Sequence, residues 1–432
     1  MTDITRRDFI NGTAVALGTA AATPYLNAAS QHSEYYPPSQ TGLRGSHPGA
    51  NTHAHKVAWQ PTYKTGPARN TNEVYDLVVV GAGLSGLAAA YFYRQRFGPD
   101  HKILILDNHD DFGGHAKRNE HTIDGERLIS YGGSQTLVEP RSAGSVMQTL
   151  FQDVGINLER FDTAFDQGFY KRNGLGATTY FNAQHFGRDM LVRHPFCNYY
   201  NYLEGLPGAA ISDEEAVAQT PLTDRGKQQL LQVLKGGLHT LDVSGKDLQR
   251  YIETTNYFDY LKNSLGVDDP HVLRMARHSG IDWSSAGTEL LTIAEAQKCG
   301  ALGFAPTPVY DATNPYIHHF PDGNAGVARA LVRFLIPSVA PGSDAESLVN
   351  TRFDYQQLDR PDQNARIRLN STVVNVHHQR GTGSRDRVAV SYFHNDSLHS
   401  VSAKRVVMAC YNMMIPHIVS DLPETQADAL RQ

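Results

Sequence analysis

Residues 74–86 read Val-Tyr-Asp-Leu-Val-Val-Val-Gly-Ala-Gly-Leu-Ser-Gly, an apolar run that stops on Gly81, Gly83 and Gly86. The valine-rich part predicts a buried strand. Residues 84–96 then change to helical spacing, with Leu87, Ala88, Tyr91 and Phe92 on one side, and residues 102–107 form a second short apolar run. Strand, helix and strand within about 35 residues are the nucleus of a doubly wound α/β sheet. The glycines fit that reading one by one. Gly81 permits the tight turn, Gly83 lets backbone approach a diphosphate, and Gly86 lets the helix pack on the sheet. The N-terminus of that helix, from Leu84 and Ser85, presents N–H groups and a positive dipole end to phosphate. Asp107 ends the next strand 21 residues after Gly86. A carboxylate there is placed to accept hydrogen bonds from ribose hydroxyls, with Asn108 beside it.

Moving outward, 432 residues exceed one ordinary core and predict either two domains or an elaborated α/β body. The formal charge of −5 excludes a basic nucleic-acid stripe and suits a small cationic partner. No apolar run is long enough to span a bilayer, so no membrane span is expected in the mature chain. Cys197, Cys299 and Cys410 stand far apart, which leaves neither a CxxC metal site nor a CxxCH haem attachment. Residues 30–70 carry Pro, Gly, His and Tyr without periodicity and read as an irregular arm. Helical text dominates 141–320, read as a substrate domain inserted between two parts of the dinucleotide domain, 71–140 and 321–432. Within the second part, 322–336 read as a turn into a helix, and 367–376, 387–393 and 405–409 as strands.

The segment from Arg6 and Arg7 through the Ala- and Gly-rich stretch to Ala28 resembles a twin-arginine export signal, taken as residues 1–29. That resemblance implies a periplasmic protein folded around its cofactor before export. Phe112-Gly113-Gly114-His115-Ala116 resembles the second half of the motif of the glutathione-reductase-like FAD superfamily, and Tyr131-Gly132-Gly133-Ser134-Gln135 resembles its segment beside the isoalloxazine. The resemblance implies FAD rather than NAD and an adenine contact from the strand backbone near Val374. It also implies that Pro321 to Gly326 holds the two domains together. Where many amine oxidases of the superfamily carry Arg, this chain has His115, with Lys117 and Arg118 as possible substitutes.

Together with Gly42 to Gly49 in the arm, these motifs are similar to those of the bacterial spermidine dehydrogenases, within the flavin amine oxidase group. The similarity implies FAD, a b-type haem relay, oxidation of a polyamine with spermidine first, and a periplasmic electron acceptor. For an axial haem ligand, the arm offers His47 first and His55 second, with His53 nearby. Glu139, Asp162 and Asp166 follow the flavin-proximal segment and are candidates for holding remote ammonium groups. No catalytic base is assigned. Members of the superfamily continue beyond the strand matching 405–409 to a further flavin-contacting segment, so the chain reads as C-terminally shortened. Two other readings stay open: a haem-free FAD oxidase of amines or amino acids, and a non-catalytic flavin or haem electron carrier.

Overall fold

The computed structural model describes residues 35–40, 47–60, 63, 66–166, 168–197, 211–236, 238, 241–279, 285–304, 318–379 and 387–431. The expected export signal and the Gly42 to Ser46 part of the arm motif lie outside them.

Four parallel strands form the central sheet in the order β12 (Val406–Met408), β2 (Leu77–Val80), β3 (Ile103–Leu106) and β8 (Ala365–Arg368). β2, β3 and β8 are buried along their whole length, as parallel strands covered on both faces must be. The period-2 alternation divides their side chains between two cores. Leu77, Val79, Ile103 and Ile105 meet a layer built from α2 (Leu84–Phe97) and a helix much later in the chain, Ala325–Leu335. Val78, Val80, Leu104 and Leu106 meet a second sheet instead. Each of these eight side chains contributes roughly 1.5–3 kcal/mol by burial, which fixes the sheet between its two covers.

That second sheet runs β1 (Arg69–Tyr75), β11 (Ser397–Ala403), β10 (Arg387–His394), β9 (Ser371–Gln379), antiparallel except where β1 joins β11. The run expected as one strand over 74–80 is thus two strands in two sheets. The chain turns at Asp76, whose carboxylate accepts the Lys102 N–H at 2.8 Å and pairs with Lys404 at 2.6 Å. The run expected over 367–376 also divides. Asn370, at φ +51, turns the chain from β8 in one sheet to β9 in the other, a conformation that Asn tolerates better than most residues. A hairpin of β4 (Lys117–Ile123) and β5 (Glu126–Gly132) turns on Asp124 and Gly125, both at positive φ. The arm is less irregular than its composition implies, because it contains α1 (Thr52–Trp59) and β1 begins inside it at Arg69.

The helical text divides as well. α3 (Ser145–Asp153) lays Leu150 and Phe151 on the first core, and Phe161 joins them. A separate core starts at Phe181 and ends at Phe304. It is built from the short hairpin β6 (Thr179–Phe181) and β7 (Met190–Val192) with helices α4 (Asp213–Gln219), α5 (Asp224–Leu234), α6 (Gly245–Thr254), α7 (Pro270–His278) and α8 (Ile293–Lys298). Local chemistry starts these helices: Asp269 caps α7 with Pro270 at its first position, and Thr292 and Glu295 form a capping box on α8. The helix Ala325–Leu335, α9, returns the chain to the first core.

Candidate dinucleotide site

The tips of β2 and β3 place the two glycine motifs against each other. Gly81 has φ +111, and a Cβ there would stand 2.5 Å from the Ala409 carbonyl oxygen at the end of β12. At Gly86 a Cβ would stand 1.9 Å from the Gly81 carbonyl oxygen, so α2 can approach its own turn only without a side chain. Gly83 bridges Gly113 in parallel fashion, and the Gly113 N–H donates to the Ala82 carbonyl at 2.9 Å. Gly114, at φ +62, would bring a Cβ to 2.9 Å from the Gly83 Cα. The result is a single backbone-lined cradle made from two motifs some thirty residues apart. α2 opens on it from Gly83, which supplies no side-chain cap, so the N–H groups of its first turn from Leu84 and Ser85 are left for an anion.

Asp107 is buried beside this cradle. One carboxylate oxygen accepts the Ala82 N–H at 2.6 Å and the other the His109 N–H at 2.8 Å. Each oxygen keeps a second lone pair, so the carboxylate is held in place and still has capacity for a sugar hydroxyl. Asn108 turns away toward the arm, donating to the Ala50 carbonyl at 3.0 Å and to Asn51 Oδ1 at 3.2 Å. Val374 lies buried on β9, and the β9–β10 ladder passes from Asn375 to Val373 without pairing it. This is a β-bulge, a feature that bends a strand and withdraws one residue from the ladder.

The residues around the second motif sort differently. His115 is exposed, and its ring lies where a Cβ on Gly133 would be, so these two shape each other. Arg118 does not substitute for the missing arginine. It is buried and spends its donors on Glu120 at 2.8 Å, Asp322 at 2.8 Å and the Val349 carbonyl at 2.7 Å. Lys117 donates to the Asp111 carbonyl at 3.2 Å. Ala116 is buried in the cradle wall.

Tyr131, Gly132, Gly133, Ser134 and Gln135 run from the end of β5 onto the turn before α9. Asn324 donates from its backbone to the Ser134 carbonyl at 3.1 Å and from its side chain to Ser134 Oγ at 2.8 Å. Gly323, at φ +59, admits this contact, since a Cβ would meet the Ser134 carbonyl oxygen at 2.3 Å. The 321–326 turn therefore docks directly on the segment read as flavin-proximal. Beside it Tyr131 leaves 42% of its surface exposed and meets the edge of His319. Burial pushes the His319 imidazole below its ordinary value, with partial compensation from the Phe320 carbonyl.

Of the acidic candidates, Asp162 is paired with Arg141 at 2.5 Å and Asp166 is gripped by both terminal nitrogens of Arg172. The Arg172 hydrogen bonds hold the Asp166 carboxyl below its usual range. Both carboxylates therefore already share their charge with a guanidinium. Glu139 sits at φ +44 ahead of a short 3₁₀ turn, and among the described residues it pairs with no cation. His47 and His55 line one open cavity of about 410 Å³ with Pro48, Gly49, Ala50, Asn51 and Thr52. His53 does not join them: it stacks on Phe393 and bonds Asp396 at 3.1 Å. No group of three or more His, Cys, Asp or Glu is arranged for a metal ion among the described residues.

Sequence reading missed the buried charge network of Arg118, Glu120, Asp322 and Arg329 that ties β4 to α9. The Arg118–Glu120 pair and the Asp322–Arg329 pair lie about two hundred residues apart, and no local pattern links them.

Residues 79–153 match the family model of an NAD(P)-binding Rossmann-like domain, in agreement with the parallel sheet and cradle. No curated protein matches the chain. Among solved structures, a putrescine oxidase variant from a structure-based redesign of cofactor binding aligns with 83% of this chain at 16% identity and a TM-score of 0.38. The alignment covers 63% of that protein, so the chain spans less than two thirds of its length.

Proposed function

We propose that this chain binds FAD at the cradle of Gly81, Gly83, Gly113 and Gly114 and serves the oxidation of an amine. The single observation that carries the cofactor reading is the contact between the two glycine motifs. An NAD site needs only the first turn, whereas here the second glycine pair is bridged to it, and a Cβ at Gly113 or Gly114 would strike backbone. The residues suit the group. Backbone at Gly81 and Gly83 and the first turn of α2 hold the diphosphate, and Asp107, fixed by two backbone N–H groups, holds the adenosine ribose. The unpaired bulge at Val374 offers backbone to the adenine, and the Tyr131 to Gln135 segment, pinned by Asn324, lies along the isoalloxazine.

When bound, FAD supplies an acceptor for the hydride from the carbon beside the amine nitrogen. The remaining work falls to this chain. Within the proposed site, desolvation would favour the neutral amine, the form that reacts, because it disfavours the ammonium. Partial burial lowers the His319 imidazole from its ordinary value, which disfavours a second positive charge there. Glu139 is the carboxylate available for a remote ammonium group.

The motif resemblance supports a polyamine, spermidine first, as substrate, and the twin-arginine resemblance supports a periplasmic location and electron acceptor. Haem b at the arm rests on His47 and His55 facing one cavity. The described lining adds no large apolar side chain to hold a porphyrin, so no electron step is derived through it.

One titration tests the whole reading. Purified chain reconstituted with FAD and mixed anaerobically with spermidine is expected to lose its flavin absorption band. A flavin band that stays unchanged with spermidine and with a panel of other amines rules out amine oxidation. A Soret band in the protein as isolated tests the haem separately.

A further inference from the structure

The arm touches the molecule at a place that the glycine cradle makes significant. Beyond Asp107, the next three residues are all engaged by it. Asn108 donates to the Ala50 carbonyl and to Asn51 Oδ1. The His109 ring meets the edge of His47 at 6.2 Å between centroids. Asp110 is 5% exposed; its N–H and one carboxylate oxygen both face His47 Nδ1 at 3.3 Å, and its other oxygen accepts the Tyr35 hydroxyl. From there the arm continues as α1 onto the second sheet, where it packs on β9, stacks His53 on Phe393 and bonds Asp396.

In a crevice of this type the diphosphate lies at the glycine turn and the ribose at the carboxylate ending the second strand, so the adenine lies one step further along the same line. That step leads past Asn108 toward the bulge at Val374 on β9. The arm's two footholds are Asn108 to Asp110, which follow Asp107 directly, and β9, which carries Val374 and starts beside Asp107, the Ser371 N–H donating to the Asp107 carbonyl at 2.7 Å.

Resting on the FAD reading above, we infer that residues 47–59 form a wall of the cofactor site and hold the adenosine end, so that FAD leaves only when the arm lifts. Asn51 is a positioning residue in this arrangement, because it fixes Asn108 and begins α1. Asp396 and Phe393 anchor the wall through His53, two residues after Asn51.

The test compares full-length FAD-loaded protein with Asn51→Ala, Asp396→Gly and the double variant. Glycine at position 396 removes the carboxylate and suits its φ of +59. FAD release is followed as the rise in free-flavin fluorescence on dilution, and amide hydrogen exchange is read across residues 47–59 with and without FAD. In the unaltered protein FAD should slow exchange of the arm amides. The double variant should exchange faster there and release FAD about tenfold faster, the loss of two modest hydrogen-bonded contacts. Arm exchange indifferent to FAD, or an opened arm in the double variant with unchanged release, overturns the inference while leaving the FAD reading intact. A chain that takes up no FAD at all overturns both.

Discussion

Gly81 shows how a single residue decides whether this site exists. Its φ of +111 and the Ala409 carbonyl oxygen 2.5 Å from the missing Cβ act together, one as backbone strain and the other as a backbone collision that no rotamer relieves. Gly81→Ala is therefore expected to abolish FAD uptake and to lower stability by about 1–3 kcal/mol in denaturant titration. Gly66→Ala is the matching control: no atom stands within 4 Å of its Cβ, and FAD content and midpoint should not move. Asp107→Ala removes the acceptor of two backbone N–H groups, those of Ala82 and His109. The expected cost is about 1–3 kcal/mol for each donor left buried and unsatisfied, together with weaker FAD binding; retention of wild-type FAD affinity would remove Asp107 from the site. Glycines and the carboxylate were legible in the sequence because their roles follow from backbone geometry. The fate of Arg118 was not, since its partner Asp322 lies 204 residues away.

Between elements, the joint that holds β1 to β8 is electrostatic. Arg366 and Arg368 on β8 meet Glu73 on β1 and Asp359, with Tyr75 and Tyr392 completing the hydrogen bonds. Burial alone raises the Glu73 carboxyl, but Arg368, aided by Tyr75 and Arg366, brings it down to about 2 from an ordinary 4.5. A carboxyl with a depressed folded value contributes stability that is complete above its unfolded value and is lost as pH falls through the folded one. Stability is accordingly expected to fall between about pH 4.5 and pH 2, and Glu73→Gln should flatten that limb while costing on the order of 3 kcal/mol at neutral pH. An acid limb unchanged in Glu73→Gln, measured by denaturant titration at several pH values, would place the acid sensitivity elsewhere. At this scale the sequence showed apolar runs but not their division. The runs over 74–80 and 367–376 each serve two sheets, and only the turns at Asp76 and Asn370 reveal it. The β4–β5 hairpin had an Asp124-Gly125 signal in plain view, obscured by strands that are partly exposed and weakly apolar.

Across the molecule, the hydrophobic cores fall into two groups. One group comprises the cores on the two faces of the parallel sheet, with α2, α3 and α9 on one face and the second sheet on the other; the second group is the core confined to 181–304. Such separation predicts two thermal transitions rather than one. On the proposed reading FAD binds only the first, so at a hundredfold excess over its dissociation constant it should stabilise that transition by about 2.7 kcal/mol and leave the helical one in place. Scanning calorimetry with and without FAD decides this: a single transition shifted as a unit would mean that the cores unfold together. The arm belongs to this scale too. Composition marked it as irregular, and its short helix α1 gained its place by packing on β9 rather than by its own helical tendency.

By itself the sequence determined the strand–glycine–helix nucleus, the carboxylate one strand along and the second glycine pair, because each depends on local backbone freedom and on periodicity within a few turns of chain. Tertiary structure alone decided that the two glycine motifs touch, that Arg118 faces inward, that Asp162 and Asp166 are already paired, and that the arm reaches Asn108. These depend on which distant surfaces meet when apolar area is buried, a choice made by the whole chain at once.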